Sequence, residues 1–154
     1  MPGDREVTVG ELISAARYVI GAPFQHQGRG VGGVDCIGVL STTFALRGID
    51  LAQLLGVNDN VSYGREPSPF LLDATQRTCR RLRELRAGAV LLFKMPRAEH
   101  PHHFALYTDK GTIIHAESIR TKQVVEQTFG RPWTRFLHSI WAIPGVDYPE
   151  DRAP

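Results

Sequence analysis

The second half of the chain holds five short β-rich runs: AVLLF (Ala89 to Phe93), HFALYT (His103 to Thr108), TIIHA (Thr112 to Ala116), QVVEQ (Gln123 to Gln127) and SIWAI (Ser139 to Ile143). Asp109, Lys110 and Gly111 leave room only for a tight hairpin between the second and third, so those two strands must run antiparallel. The first half has a different period. Thr8 to Glu11 has capping-box spacing, and Leu12, Ile13, Ala16, Val19 and Ile20 recur at helical intervals, which predicts a helix from about Val9 to Ile20 stopped by Gly21, Ala22 and Pro23. Phe24 to Asp35 carries four glycines and no apolar period, and is expected to be a loop. Asp35 can cap a second helix, roughly Cys36 to Arg47, that ends at Gly48 and buries Ile37, Leu40 and Phe44. Ile49 to Pro69 reads as an irregular excursion before a helix of about Phe70 to Leu82. Helices first and an antiparallel sheet second make an α+β fold with N-terminal helices packed on a C-terminal sheet.

At 154 residues the chain is most simply one domain, 1–154. Its 42% hydrophobic and 22% charged residues are ordinary globular usage, and a net charge of +2 is too small to argue for nucleic acid or an acidic membrane surface. No run approaches the ~18 apolar residues of a membrane span. The N-terminus carries Asp4, Glu6 and Glu11 where a signal peptide would be basic, so the protein is expected to be made in the cytoplasm; work outside the cell would need a carrier. Cys36 and Cys79 are too few for a disulfide scaffold and form no CxxC pair, so each needs its own explanation.

Cys36 falls at a helix N-terminus, and His103 and His115 face each other across the hairpin about two strand positions apart. A thiol becomes a nucleophile as the thiolate, and a helix N-terminus with a neighbouring imidazolium can lower its pKa from about 8.5 to roughly 3 to 4. His103 is then the base and His115 the residue that orients it. The competing reading makes Cys36 a small core residue and the histidines satisfied sheet residues.

The segment GAPFQHQGRGVGGVDCIGVL (Gly21 to Leu40) resembles the signature of the NlpC-type (NlpC and p-sixty family) cell-wall cysteine peptidases: a G-x-P-aromatic start, a Gly-rich loop, then D-C-x-G-hydrophobic. LRAGAVLLF, HFALYTDKGTIIHA and the closing WAIPG resemble further family blocks in order and spacing, so the resemblance spans roughly Val9 to Gly145. It implies a papain-like fold and hydrolysis of a peptidoglycan stem peptide, usually between D-glutamate and a diamino acid. By residue it implies Cys36 as nucleophile, His103 as general base and His115 as third polar residue, with Phe24, His26, Gln27 and Asp35 near the substrate, and no cofactor or metal. The compact size, His26 with Gln27 and the N-terminus look most like the subgroup of tailed-phage and gene-transfer-agent tail clusters. In that subgroup the enzyme rides on a tail tip, with hub or tail-tip proteins as partners and a virion or tail particle as location.

Three residues depart from the family pattern: Phe24 stands where many members have Tyr, Ala89 replaces the usual Asp and Ile37 a common Ser. A second reading is therefore a structural tail-tip or hub-binding module whose site is weak or unused, and a third an acyltransferase or amidase on the same fold. His100, His102 and His103 with His26 lack paired zinc-ligand spacing and read better as a solvated loop. Arg77, Arg80, Arg81, Arg83 and Arg86 could dock an anionic glycan or acidic tail protein, against the plainer expectation of a solvated helix face. Cys79 within that stretch reads as structural. Trp133 and Trp141 read as groove-lining or packing residues.

Overall fold

The computed structural model describes residues 6–25, 29–30, 33–56 and 69–153. In chain order these form β1 (Val7–Thr8), α1 (Val9–Val19), β2 (Arg29–Gly30), β3 (Gly33–Val34), α2 (Cys36–Ala45), α3 (Leu51–Leu55), α4 (Phe70–Thr78) and β4 (Arg80–Leu82). There follow β5 (Val90–Phe93), β6 (His103–Tyr107), β7 (Thr112–Glu117), β8 (Gln123–Thr128), α5 (Trp133–Phe136), β9 (Leu137–Ala142) and β10 (Val146–Asp147). The α+β expectation holds: a six-stranded sheet in the order β4-β9-β5-β6-β7-β8, antiparallel throughout, packs with the N-terminal helices.

Local chemistry sets the elements that matter for the site. The α1 capping box is complete, Glu11 N–H donating to Thr8 Oγ1 at 3.1 Å and Thr8 N–H to Glu11 Oε2 at 3.0 Å. At the start of α2 the Gly38 N–H donates to Asp35 Oδ1 at 2.7 Å, which satisfies a donor the first helical turn would otherwise leave unpaired. The β6–β7 hairpin turns where expected. Gly111 takes φ +69, a conformation costly for a residue with a Cβ, and the Thr108 N–H closes the turn on the Thr112 carbonyl. Consecutive buried residues in β5, β6 and β7 mean that both faces of the central sheet are covered, and Phe44, Phe93, Leu106 and Ile113 are fully enclosed.

Four features differ from the sequence expectation, the first being that the Phe24 to Asp35 segment, expected as a loop, holds the antiparallel pair β2–β3, with Arg29 opposite Val34 and Gly30 opposite Gly33. The helix expected over Phe70 to Leu82 stops at Thr78, and Arg80 to Leu82 join the sheet edge by pairing with Ala142 to Ile140 of β9. Those three residues carry little strand propensity of their own; a long-range partner decides their conformation. Within the irregular excursion Leu51–Leu55 is a short helix, and the remainder, 57–68, lies outside the described residues. Val7 and Thr8 pair in parallel with Val146 and Asp147, tying the start of α1 to the final strand. Tyr148 reinforces that closure, its hydroxyl accepting the Ile143 N–H and donating to the Gly88 carbonyl, each at 3.0 Å.

Candidate active site

Cys36 opens α2, is half-buried, and its thiol donates to the His102 carbonyl at 3.8 Å. The next residue, His103, opens β6. The β6–β7 register pairs Leu106 with Ile114 and Tyr107 with Ile113, which puts His103 and His115 on one face as diagonal neighbours, within reach for imidazole rings. Their Nε2 and Nδ1 atoms lie 2.8 Å apart. The two histidines thus stand on neighbouring antiparallel strands, as the Asp109–Lys110–Gly111 turn leads one to expect.

His115 is fully buried, with its other nitrogen, Nε2, 2.7 Å from Gln127 Oε1 on β8. Trp133 lies over both rings, stacked on His103 at 5.4 Å between centroids and edge-on to His115 at 4.7 Å, while Phe93 approaches His103 at 6.0 Å. This aromatic cover strips water from the imidazoles. Burial first, then the proximity of His115 and His102, holds the His103 pKa well below 6.5; burial also lowers that of His115. Both shifts favour the uncharged form of the rings. A neutral imidazole in such a setting is a form able to accept a proton.

Asp35 is buried with Oδ1 on the Gly38 amide, so its observed work is to cap the helix that presents Cys36. Phe24 is half-buried against the core, with its N–H donating to the Lys122 carbonyl at 2.7 Å. His26 and Gln27 lie outside the described residues. Sequence reasoning missed Gln127 and left Trp133 between groove-lining and packing. Gln127 could have been found by stepping twelve residues from His103 to His115 to the next strand, once the β7–β8 register was known.

Among the described residues no group of three or more His, Cys, Asp or Glu side chains is arranged to hold a metal ion. His102 Nδ1–H donates to the His100 carbonyl at 3.2 Å. The arginines do not share one helix face. They spread over α4, β4 and the following turn; Arg80 and Arg86 pair with Asp151, and Arg81 lies over the Trp141 ring at 5.9 Å. Among the described residues no helix is long and apolar enough to cross a membrane.

A half-buried cysteine at a helix start, beside a strand whose first histidine is bonded to a second, agrees with the motif order read in the sequence. Residues 21–142 match the sequence profile of the NlpC/P60 family. The chain belongs to the NlpC/P60 family. No curated protein matches it. Among solved structures it is similar to an NlpC/P60 family protein from Bacillus cereus, with TM-score 0.67 and 19% identity, covering 92% of this chain and 42% of that one. It is also similar to the NlpC/p60 domain of the peptidoglycan hydrolase SagA, with TM-score 0.62 and 18% identity over 89% of this chain and 100% of that domain. RipD from Mycobacterium tuberculosis, described as a non-catalytic NlpC/p60 domain protein adapted to peptidoglycan binding, has TM-score 0.54 and 15% identity over 88% of this chain and 96% of that one. These likenesses establish the NlpC/P60 fold. The chain spans less than half of the Bacillus cereus protein. Family members are generally peptidoglycan hydrolases and typically cysteine peptidases, and some are non-catalytic.

Proposed function

We propose that this NlpC/P60 domain is a cysteine endopeptidase acting on peptidoglycan stem peptides, at the bond between D-glutamate and the diamino acid. The observation that carries the reading is the convergence of the Cys36 thiol, at a helix start, with the strand that begins at His103 and its bonded partner His115. His103 takes the thiol proton as the sulfur attacks the stem-peptide carbonyl carbon. The C–N bond breaks, the leaving amine receives that proton, and a thioester remains on Cys36. Water, deprotonated by His103, then attacks the thioester and the C–S bond breaks, returning the thiol. Backbone N–H groups at the start of α2 would supply part of the oxyanion hole; those of Gly38 and Val39 are not among them, being bonded to Asp35.

Carriage on a phage-like tail tip is the finer part of the proposal and rests on the subgroup resemblance that His26 with Gln27 carries. Recovery of the protein with intact tail particles would support it; its exclusive appearance as a free monomer would remove it. Digestion of purified peptidoglycan followed by mass analysis of the fragments tests the chemistry. New D-glutamyl carboxyl ends are expected. Binding to peptidoglycan without cleavage, together with an inert Cys36, would favour the second reading, a binding or structural module, for which RipD shows that the fold can serve.

A further inference from the structure

We propose that Gln127 is a positioning residue of the site, which by accepting the Nε2–H of His115 fixes the tautomers of both histidines and leaves Nδ1 of His103 as the basic nitrogen. The inference rests on the cysteine-peptidase reading above. It follows from hydrogen-bond inventory. Gln127 Oε1 is 2.7 Å from His115 Nε2, and an amide oxygen can only accept, so that nitrogen carries the hydrogen. A neutral His115 then has a bare Nδ1, which can only accept from His103 Nε2 at 2.8 Å. With its hydrogen on Nε2, neutral His103 keeps its lone pair on Nδ1, the nitrogen left to take a thiol proton. Reversing the amide at position 127 would reverse every step and put a hydrogen on Nδ1, where a base cannot have one.

The three side chains share one face as a diagonal row across β6, β7 and β8, since Ile113 lies opposite Gln127 and His115 opposite Val125. Gln127 itself is half-buried on the strand at the sheet edge, where a change of side chain leaves the central core intact. Among the described residues the titratable groups that act on the pair are His102 before β6 and Glu117 from β7, with the Cys36 thiol of α2 on the His102 carbonyl; Trp133 from α5 and Phe93 from β5 cannot titrate.

The test compares wild type, Gln127→Leu and Gln127→Glu by imidazole ¹⁵N chemical shifts, by Cys36 alkylation against pH and by stem-peptide hydrolysis. In the wild type His115 should be the Nε2–H tautomer. Gln127→Leu should lose that preference and slow alkylation and kcat by about ten- to a hundredfold, the usual penalty for removing an orienting partner, with KM within about twofold. Gln127→Glu, which can only accept, should keep the tautomer, restore the rate to within about threefold and move the imidazole-dependent limb of the pH profile upward, because a carboxylate favours imidazolium. Unchanged tautomer and rate in Gln127→Leu, or a reversed tautomer in Gln127→Glu, would overturn the proposal. A wild type that hydrolyses nothing would defeat the peptidase reading, while the ¹⁵N shifts would still decide the role of Gln127.

Discussion

Cys36 and Cys79 carry the same thiol in opposite settings. Cys79 is buried where α4 meets β4, and burial pushes its pKa up to about 12. Cys36 is half-buried at a helix start with its thiol turned to a carbonyl. Iodoacetamide at pH 8 should therefore label Cys36 faster than Cys79; equal labelling, read by peptide mass, would sink the nucleophile assignment. Cys36→Ala and His103→Ala should each lower stem-peptide cleavage by at least about 10³-fold, since members of one nucleophilic unit fail together. His115→Ala should cost less and Cys79→Ser almost nothing. Full hydrolysis by Cys36→Ala would move the assignment to a binding module. These candidates were legible in sequence because a three-residue hairpin fixes the distance from His103 to His115. Gln127 was not, since its place depends on the β7–β8 register, and Trp133 reaches the histidines from α5, an element of four residues that leaves no periodic trace.

At the scale of elements, α2 is held at its N-terminus by one side chain. Asp35→Ala removes the acceptor for the Gly38 amide and should destabilise the domain by about 1 kcal/mol, read by urea denaturation, whereas Asp35→Asn should keep most of the cap. A raised KM in Asp35→Asn at unchanged stability would place Asp35 against substrate as well. α1, α2 and the central strands were legible because caps, apolar period and turn residues agree with the tertiary structure. The α4 boundary was not: Arg80, Arg81 and Leu82 become strand only because β9 offers them a partner. That shift changes how the arginines should be tested as a docking face. Arg80 and Arg86 already bind Asp151, so reversing their charge would disturb the C-terminal segment. Arg77→Glu with Arg83→Glu is the cleaner pair, both residues being exposed. It should weaken attachment to tail particles in a co-sedimentation assay at unchanged hydrolysis; undiminished attachment would clear these arginines of the role.

For the whole molecule, the buried histidines make folding depend on pH in a window apart from that of the carboxylates. His103 and His115 have folded pKa values below the ordinary 6.5, with burial as the leading cause. The unfolded chain therefore takes up protons near pH 6.5 that the folded chain still refuses. Where the unfolded state binds more protons, stability rises with pH, so the fold is more stable above 6.5 and loses stability as pH falls toward the folded values. Each proton refused contributes a slope of at most about 1.4 kcal/mol per pH unit, and the bonded pair titrates as a unit. Glu126, Asp147 and Asp151 have lowered values for the opposite reason: hydrogen bonds from arginines stabilise their carboxylates. Their loss comes only as pH falls below the ordinary carboxylate values of 4.5 and 3.8. The melting temperature should accordingly fall between pH 7.5 and 5, before the carboxylates protonate. His115→Gln, which has no imidazole to protonate at that position, should flatten this part of the curve even if its absolute melting temperature is lower. A wild-type melting temperature that is level from pH 7.5 to 5 would mean that the His103–His115 pair accepts its proton in the folded protein as readily as in the unfolded chain. The resting site would then hold an imidazolium, and Cys36 would be activated as a preformed ion pair.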